Sequence, residues 1–405
     1  MKTKHPSYFV KTISLVMIFF VLTMSSVLKA QENAVKDFLK GSKDADSLLS
    51  ITVNGNGYSD QTLVYFYGPS TEGFDSEYDA YKLPGIYAAP QLYSIIPCCH
   101  LAVNVLPTFN TNYIVQLGFS VGASTSYTFT FDGIDTFDPS TTIYLIDSKD
   151  NVVVNMNTSS TYTFAATPDD CIKRFKLYFD LTSKFVALNA FVEGAFNGTD
   201  MDTTLYHNDL ISLTQPYNTA PWNYSGTESV SSIPKGVVDW VLVEVRDAKN
   251  AGLALPSTMV ERQAAFLMMD GSIKYIDACA NLDFNISLSQ GMFIVLYHRN
   301  HVSVLSGSSL SETNGVYQYD FSTSENQVFG GGLAHKELVS GVWGMMSGDG
   351  NADGEVDNKD KDDVWEPDEA ATGYLPGDFN LDGIVDSNDL NYWDPNGGKA
   401  SGVPE

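Results

Sequence analysis

Leu48-Leu-Ser-Ile-Thr-Val53, then Asn54-Gly55-Asn56-Gly57, then Gln61-Thr-Leu-Val-Tyr-Phe-Tyr67: two runs rich in β-branched and aromatic residues flank a cluster of turn formers. This stretch reads as strand, turn, strand, because such side chains suit a pleated, half-buried surface and Asn-Gly pairs reverse a chain tightly. The pattern repeats outward. Tyr113-Ile-Val-Gln-Leu117, Ser126-Tyr-Thr-Phe-Thr-Phe131, Thr142-Ile-Tyr-Leu-Ile146 and Arg174-Phe-Lys-Leu-Tyr-Phe179 have the same composition, with Asp132-Gly133 and Asp147-Ser-Lys-Asp150 between them. Long amphipathic helices are absent. Short strands at this spacing predict an antiparallel β-sandwich over residues 42–185.

Residues 186–345 repeat that texture. Val237-Val-Asp-Trp-Val-Leu-Val-Glu-Val245 alternates only partly and is too β-branched for a comfortable helix. Gln263 to Ile276 reads as a hairpin about Asp270-Gly271, and Phe284-Asn-Ile-Ser-Leu288 and Met292-Phe-Ile-Val-Leu-Tyr297 follow as strands. A second antiparallel sandwich is expected, so the fold class is mainly β.

Residues 347–405 change character. Asp349, Asn351, Asp353, Asp357 and Asp360 in one run, and Asp378, Asn380, Asp382, Asp386 and Asp389 in the next, put oxygen-bearing side chains at positions 1, 3, 5, 9 and 12 of a twelve-residue loop. Gly354 and Gly383 occupy position 6, and Glu355 and Ile384 offer a backbone carbonyl at position 7. A cation of calcium's size takes six to eight oxygens from a flexible loop of this design, so two calcium ions are expected. From Gly348 to Glu405 there are 16 acidic and 3 basic side chains, a stretch that repels itself without bound cations. Calcium should therefore be needed for this tail to fold, and its removal should unfold the tail alone.

Asp rather than Glu at position 12, two loops in tandem, and poor helix formers ahead of each loop (Gly344 to Gly348, Tyr374-Leu-Pro376-Gly) resemble the type I dockerin module. The resemblance implies one helix after each loop and a cohesin-like protein partner. Here the segments Asp360 to Trp365 and Asp389 to Trp393 meet Pro367 and Pro395 after barely two turns, shorter than dockerin helices. Trp365 and Trp393, at matching places, read as anchors of a small core. A second resemblance rests on Gly57-Tyr58-Ser59-Asp60, Thr71-Glu72-Gly73-Phe74-Asp75, Asp79-Ala80-Tyr81-Lys82-Leu83, Pro90-Gln91-Leu92-Tyr93 and Phe137-Asp138-Pro139-Ser140. These are similar to a β-sandwich of exported surface proteins of the Bacteroidota, which carries no assigned reaction. Tyr217 to Tyr224, Val238 to Glu244 and His298 to His301 resemble a companion domain of the same proteins.

Lys2, Lys4 and Lys11 precede the apolar run Ile13 to Leu22, and Leu28-Lys-Ala30 offers a small residue before Gln31. Residues 1–30 thus read as a secretory signal peptide, too short in its apolar part to span a bilayer, and the product is expected to be secreted or held at the cell surface. A formal charge of −26 makes nucleic acid and anionic lipid poor partners. Export permits a bridge between Cys171 and either Cys98 or Cys99, although a chain of this length does not need one.

No Gly-x-Ser-x-Gly elbow and no His-Glu-x-x-His helix occurs, and Gly330-Gly331-Gly332 lacks the lysine of a phosphate loop. His298 and His301 follow a strand, where alternation would send them to opposite faces, so they are expected to form neither a catalytic nor a metal pair. With 49 acidic residues, candidate carboxylate pairs for glycoside hydrolysis arise by abundance and prove nothing. The expectation is a non-catalytic, exported calcium-binding protein that binds a glycan or protein ligand. The alternative is a component of a polysaccharide-degrading system, either hydrolysing O-glycosyl bonds itself or docked through its tail.

Overall fold

The computed structural model describes residues 47–108, 113–179 and 183–405, and the signal-peptide reading lies outside them. The chain is mainly β, with sheets curled into barrel or half-barrel shapes. Among the described residues no helix is long and apolar enough to cross a membrane.

The opening hairpin forms as its residues dictate. Leu48–Gly55 pairs antiparallel with Tyr58–Phe66, and the two turn residues Asn56 and Gly57 both take positive φ (51° and 76°), the backbone whose twist matches the strands it joins. From this hairpin one continuous sheet of eleven strands extends both ways. On one side lie Thr125–Asp132 and the edge strand Thr161–Ala166. On the other lie Cys99–Leu106, Gln91–Ile96, Tyr113–Ser120, Phe175–Phe179, Ile143–Asp147 and the edge strand Val152–Asn155, with Ala80–Tyr81 added to Cys99–Leu106. Alternation points Tyr127, Phe129 and Phe131 into a shared core, where the Phe119 ring meets Tyr127, Phe129, Phe164 and Phe175 edge-on.

The second sheet has nine strands, in the order Val304–Leu305, Gly291–Tyr297, Val237–Ala248, Met259–Met268, Ser272–Lys274, Lys184–Asn189, Val316–Asp320 and Ser311–Thr313, with Leu282–Phe284 also on Lys184–Asn189. The expected reversal at Asp270-Gly271 is present: Gly271 has φ +84°, and Asp270 accepts from the Ser272 N–H at 3.0 Å. Two simple antiparallel sandwiches were expected. Each unit is instead one continuous curled sheet containing a parallel pair, Tyr58–Phe66 with Cys99–Leu106 and Lys184–Asn189 with Val316–Asp320. Alternation reveals that one face of a strand is buried, but not whether the sheet closes on itself or on a neighbour.

The incomplete alternation of Val237–Ala248 has a physical cause. Eleven of its twelve residues are buried, because both faces, Trp240 and Leu242 on one and Val241, Val243 and Val245 on the other, join the main core of the second sheet, while Ala248 at the end packs in a cluster with Phe293, Val295 and Leu305 against which Val403 lies. A strand covered on both faces needs apolar residues on both.

The two sheets are tied together. Ile146 and Tyr178 of the first pack with Phe185 and Val316 of the second, the Val153 N–H donates to the Asn314 carbonyl at 2.8 Å, and Asn281 donates to Asn151. The cysteines pair otherwise than in the bridge that export permitted: Cys171 bonds Cys279 across the two units, and Cys98 bonds its neighbour Cys99. Local sequence could not reveal this, since the partner of Cys171 lies 108 residues away. Non-reducing peptide mapping should recover the Cys171–Cys279 pair, and Cys279→Ser is expected to cost about 2–5 kcal/mol. Recovery of Cys171 joined to Cys98 or Cys99 would contradict this pairing.

Candidate metal centre

The two acidic loops superimpose in their bonding residue by residue. In the first, Asp360 Oδ1 and Oδ2 accept from the Asn351 and Asp357 N–H groups, Asp349 Oδ2 from Gly354, Asn351 Oδ1 from Asp353, and Asp353 Oδ1 from Glu355. In the second, Asp389 accepts from Asn380 and Asp386, Asp378 Oδ2 from Gly383, Asn380 Oδ1 from Asp382, and Asp382 Oδ1 from Ile384. Left-handed backbone falls at positions 4 and 6 of both: Ala352 and Gly354 in one, Leu381 and Gly383 in the other. Side chains and backbone N–H groups thus wind each loop inward around its own oxygens.

The carboxylates at positions 1 and 12, Asp349, Asp360, Asp378 and Asp389, are all at most 2 % exposed. Burial raises Asp360 and Asp389 to about 6 and Asp378 to about 7, Arg299 opposing the last shift and Asp389 adding to it. Burial, then Asp360 and Asp353, push Asp349 well above the usual range. Asp349 Oδ1 is buried and accepts no hydrogen bond. A buried orphan oxygen and inward carboxylates disfavoured as anions fit the donor set of a hard cation, which would satisfy both. Asn351, Asp353, Asn380 and Asp382 supply the shallower oxygens, and the position 7 residues Glu355 and Ile384 would contribute backbone carbonyls. Asp357 and Asp386 at position 9 accept from the Lys359 and Asn388 N–H groups. Among the described residues no three His, Cys, Asp or Glu side chains form a closed ligand group. The loops' donors are mixed, part carboxylate and part amide or carbonyl.

The loops are locked to each other by reciprocal contacts. Asp360–Trp365, a π-helical turn, continues into Glu366–Asp368, and the second loop leads into Leu390–Asn396; Pro367 and Pro395 sit in the last turn of each. Trp365 Nε1 donates to the Asp386 carbonyl and Trp393 Nε1 to the Asp357 carbonyl, both at 3.0 Å. Each indole therefore holds position 9 of the opposite loop. Val356 pairs with residues 398–399 and Val385 with residues 370–371, so each position 8 is braced by the segment that follows the other helix.

Sequence reasoning missed how deeply this pair of loops is set into the second sheet. Leu381 joins that sheet's main core, and a Cβ on Gly383 would collide with Leu210. An apolar residue at position 4 of an acidic loop was the available signal. Ser347 Oγ donates to the Phe379 carbonyl at 2.6 Å, Asn300 Nδ2 to the carbonyls of Pro376 and Asp378, and Arg299 to that of Leu375.

The premise that His298 and His301 point to opposite faces requires correction. The strand ends at Tyr297, alternation ends with it, and the 298–301 turn brings the two imidazoles together, with centroids 4.7 Å and Nδ1 atoms 3.0 Å apart. Both are buried. His301 Nε2 accepts from the Gly194 N–H, which assigns its proton to Nδ1, facing His298 and Asn300; His298 Nε2 lies 3.2 Å from Asp239 Oδ2, off line for a hydrogen bond. Burial, with His298 and Arg299 beside it, keeps His301 well below the usual histidine range and hence neutral. Asp239 also binds Arg299 Nε at 2.9 Å and the Tyr374 hydroxyl, and Arg299 lies over the Tyr374 ring. Burial alone would raise Asp239, but Arg299, His298 and Tyr374 overcome it and hold the carboxyl at about 2. The pair serves a buried brace between the second sheet and the second loop.

The model of a protein family described as a domain of unknown function, DUF8693, matches residues 31–179, ending with the last strand of the first sheet. No curated protein and no solved structure matches the chain.

Proposed function

We propose that this is an exported, non-catalytic calcium-binding protein of the cell surface or extracellular space, whose curled sheets present a glycan or protein ligand site and whose dockerin-like tail holds two calcium ions. The reading is carried by the duplicated loop: two segments with the same inward bonding, the same left-handed positions and the same buried carboxylates at positions 1 and 12. Turn-rich acidic surface would leave those side chains in water. A bound divalent ion would neutralise them and fix the start of each following helix. The tail then acts as a structural clasp.

Calorimetric titration of the chelator-stripped full chain with calcium is expected to return two sites. Asp349→Ala and Asp378→Ala should each remove one by deleting the position 1 carboxylate. Fewer than two sites in the parent, or two retained in either variant, would refute the assignment. A glycan panel scored for binding and for reducing-sugar release tests the rest: release would replace the non-catalytic reading with the hydrolytic one.

A further inference from the structure

Where the tail meets the 3-10 turn Glu193–Ala195 and the small sheet of His335–Val339 and Val342–Met345, three side chains far apart in sequence form a closed triangle. Lys336 Nζ lies 3.0 Å from Asn396 Oδ1, Asn396 Nδ2 lies 2.7 Å from Glu193 Oε2, and Glu193 Oε1 receives Lys336 Nζ. Asn396 is 1 % exposed, and its amide is further fixed by donation to the Ser347 carbonyl at 2.8 Å. Glu193 is held in turn by the Ser347 N–H. The three come from three places: the 3-10 turn Glu193–Ala195, the strand His335–Val339, and the last residue of the helix Leu390–Asn396.

We propose that Lys336 and Asn396 form an intramolecular isopeptide bond, with Glu193 as its proton carrier. A primary amine set against a carboxamide is inert in water because the amine is protonated and the amide nitrogen is a poor leaving group. This arrangement addresses both. One carboxylate touches the attacking and the leaving nitrogen through separate oxygens, and the geometry is held by the fold, replacing an improbable encounter with a fixed one. Lys336 Nζ gives a proton to Glu193 Oε1 and, as free amine, attacks Asn396 Cγ. The Nζ–Cγ bond forms, the Glu193 carboxyl passes that proton to Nδ2, the Cγ–Nδ2 bond breaks to release ammonia, and the second proton of Nζ passes through Glu193 to the ammonia, which leaves as ammonium. One ammonium and one primary amide become one secondary amide and one ammonium ion, with no oxidant or co-reactant.

The consequence is mechanical. The bond closes a 60-residue separation containing both acidic loops, so the tail stays covalently fastened to the two-stranded sheet of His335–Val339 and Val342–Met345 even when its other contacts open. A second close pair supplies an internal control. Lys274 Nζ lies 2.8 Å from Asn281 Oδ1, but the Asn281 amide donates to Asn151, and no hydrogen-bonded carboxylate bridges the two nitrogens.

Peptide mapping by mass spectrometry on the purified full chain tests the proposal. The expected product is a branched peptide joining the Lys336 and Asn396 segments and lighter than their sum by one ammonia. Glu193→Gln should return both peptides unlinked in a protein whose circular dichroism matches the parent, and Asn396→Asp should restore the link with loss of water instead. Unlinked Lys336 and Asn396 peptides from folded parent protein would overturn the proposal. So would a link that survives in Glu193→Gln, or one found at Lys274 and Asn281 instead.

Discussion

Removing calcium is expected to destabilise the second sheet together with the tail, leaving no independently melting tail. At a thousandfold excess over Kd each ion adds about 4 kcal/mol to the folded state, so two ions represent roughly 8 kcal/mol. At about 2–4 °C per kcal/mol for a unit near 200 residues, the transition should fall by roughly 15–30 °C on chelation. The loss should spread inward, because Leu381 lies in the sheet's main core, Val403 covers Phe293 and Val295, and Asn300, Arg299 and Ser347 are bonded to carbonyls between Leu375 and Phe379. Hydrogen exchange gives the direct measurement: amides of Val237–Ala248 should lose protection in step with those of the loops. Loss confined to residues 347–405, with the strand still protected, would restore the self-contained tail that its composition suggests.

That contrast marks how far the sequence could be read. Strand positions and turns were legible because alternation and Asn-Gly or Asp-Gly pairs are local signals, as at Asn56-Gly57 and Asp270-Gly271. The turns of the acidic loops were legible for the same reason, since the hydrogen bonds that wind each one lie within that loop. What stayed hidden depends on distant partners. Cys171 finds Cys279 108 residues on, and Asn396 meets Glu193 across 203 residues. His298 and His301 misled in a different way: their spacing was judged by strand geometry, but the strand stops one residue before them. Periodicity arguments fail where the element ends, and an Arg-Asn pair between two histidines was the local hint of a turn rich in donors. The curl of each sheet was likewise invisible, because closure depends on which strands meet, as in the parallel pairing of Tyr58–Phe66 with Cys99–Leu106.

Asp239→Asn is expected to be the most damaging single substitution away from the loops. The carboxylate is fully buried and collects Arg299 Nε, the Tyr374 hydroxyl and the Trp240 N–H, with His298 Nε2 close by. Removing its charge leaves the buried Arg299 guanidinium with Asp378, at 3.8 Å, as its ion-pair partner. Breaking one side of a buried pair costs about 3–5 kcal/mol, mostly because the remaining charge stays desolvated. Denaturant unfolding should show that loss, and calcium titration should show the second loop weakened more than the first, since Tyr374 and Arg299 hold the segment leading into Asp378. The same carboxyl sets an acid limit. Its folded value of about 2 lies below the unfolded value of about 3.9, so its contribution is complete above pH 4 and is lost as the pH falls through 2. The Asn variant should lack that acid-dependent component, which is worth about 2 kcal/mol. A variant within 1 kcal/mol of the parent, or one that keeps the parent's full acid dependence, would show that the brace around Asp239 does not hold the loop to the sheet.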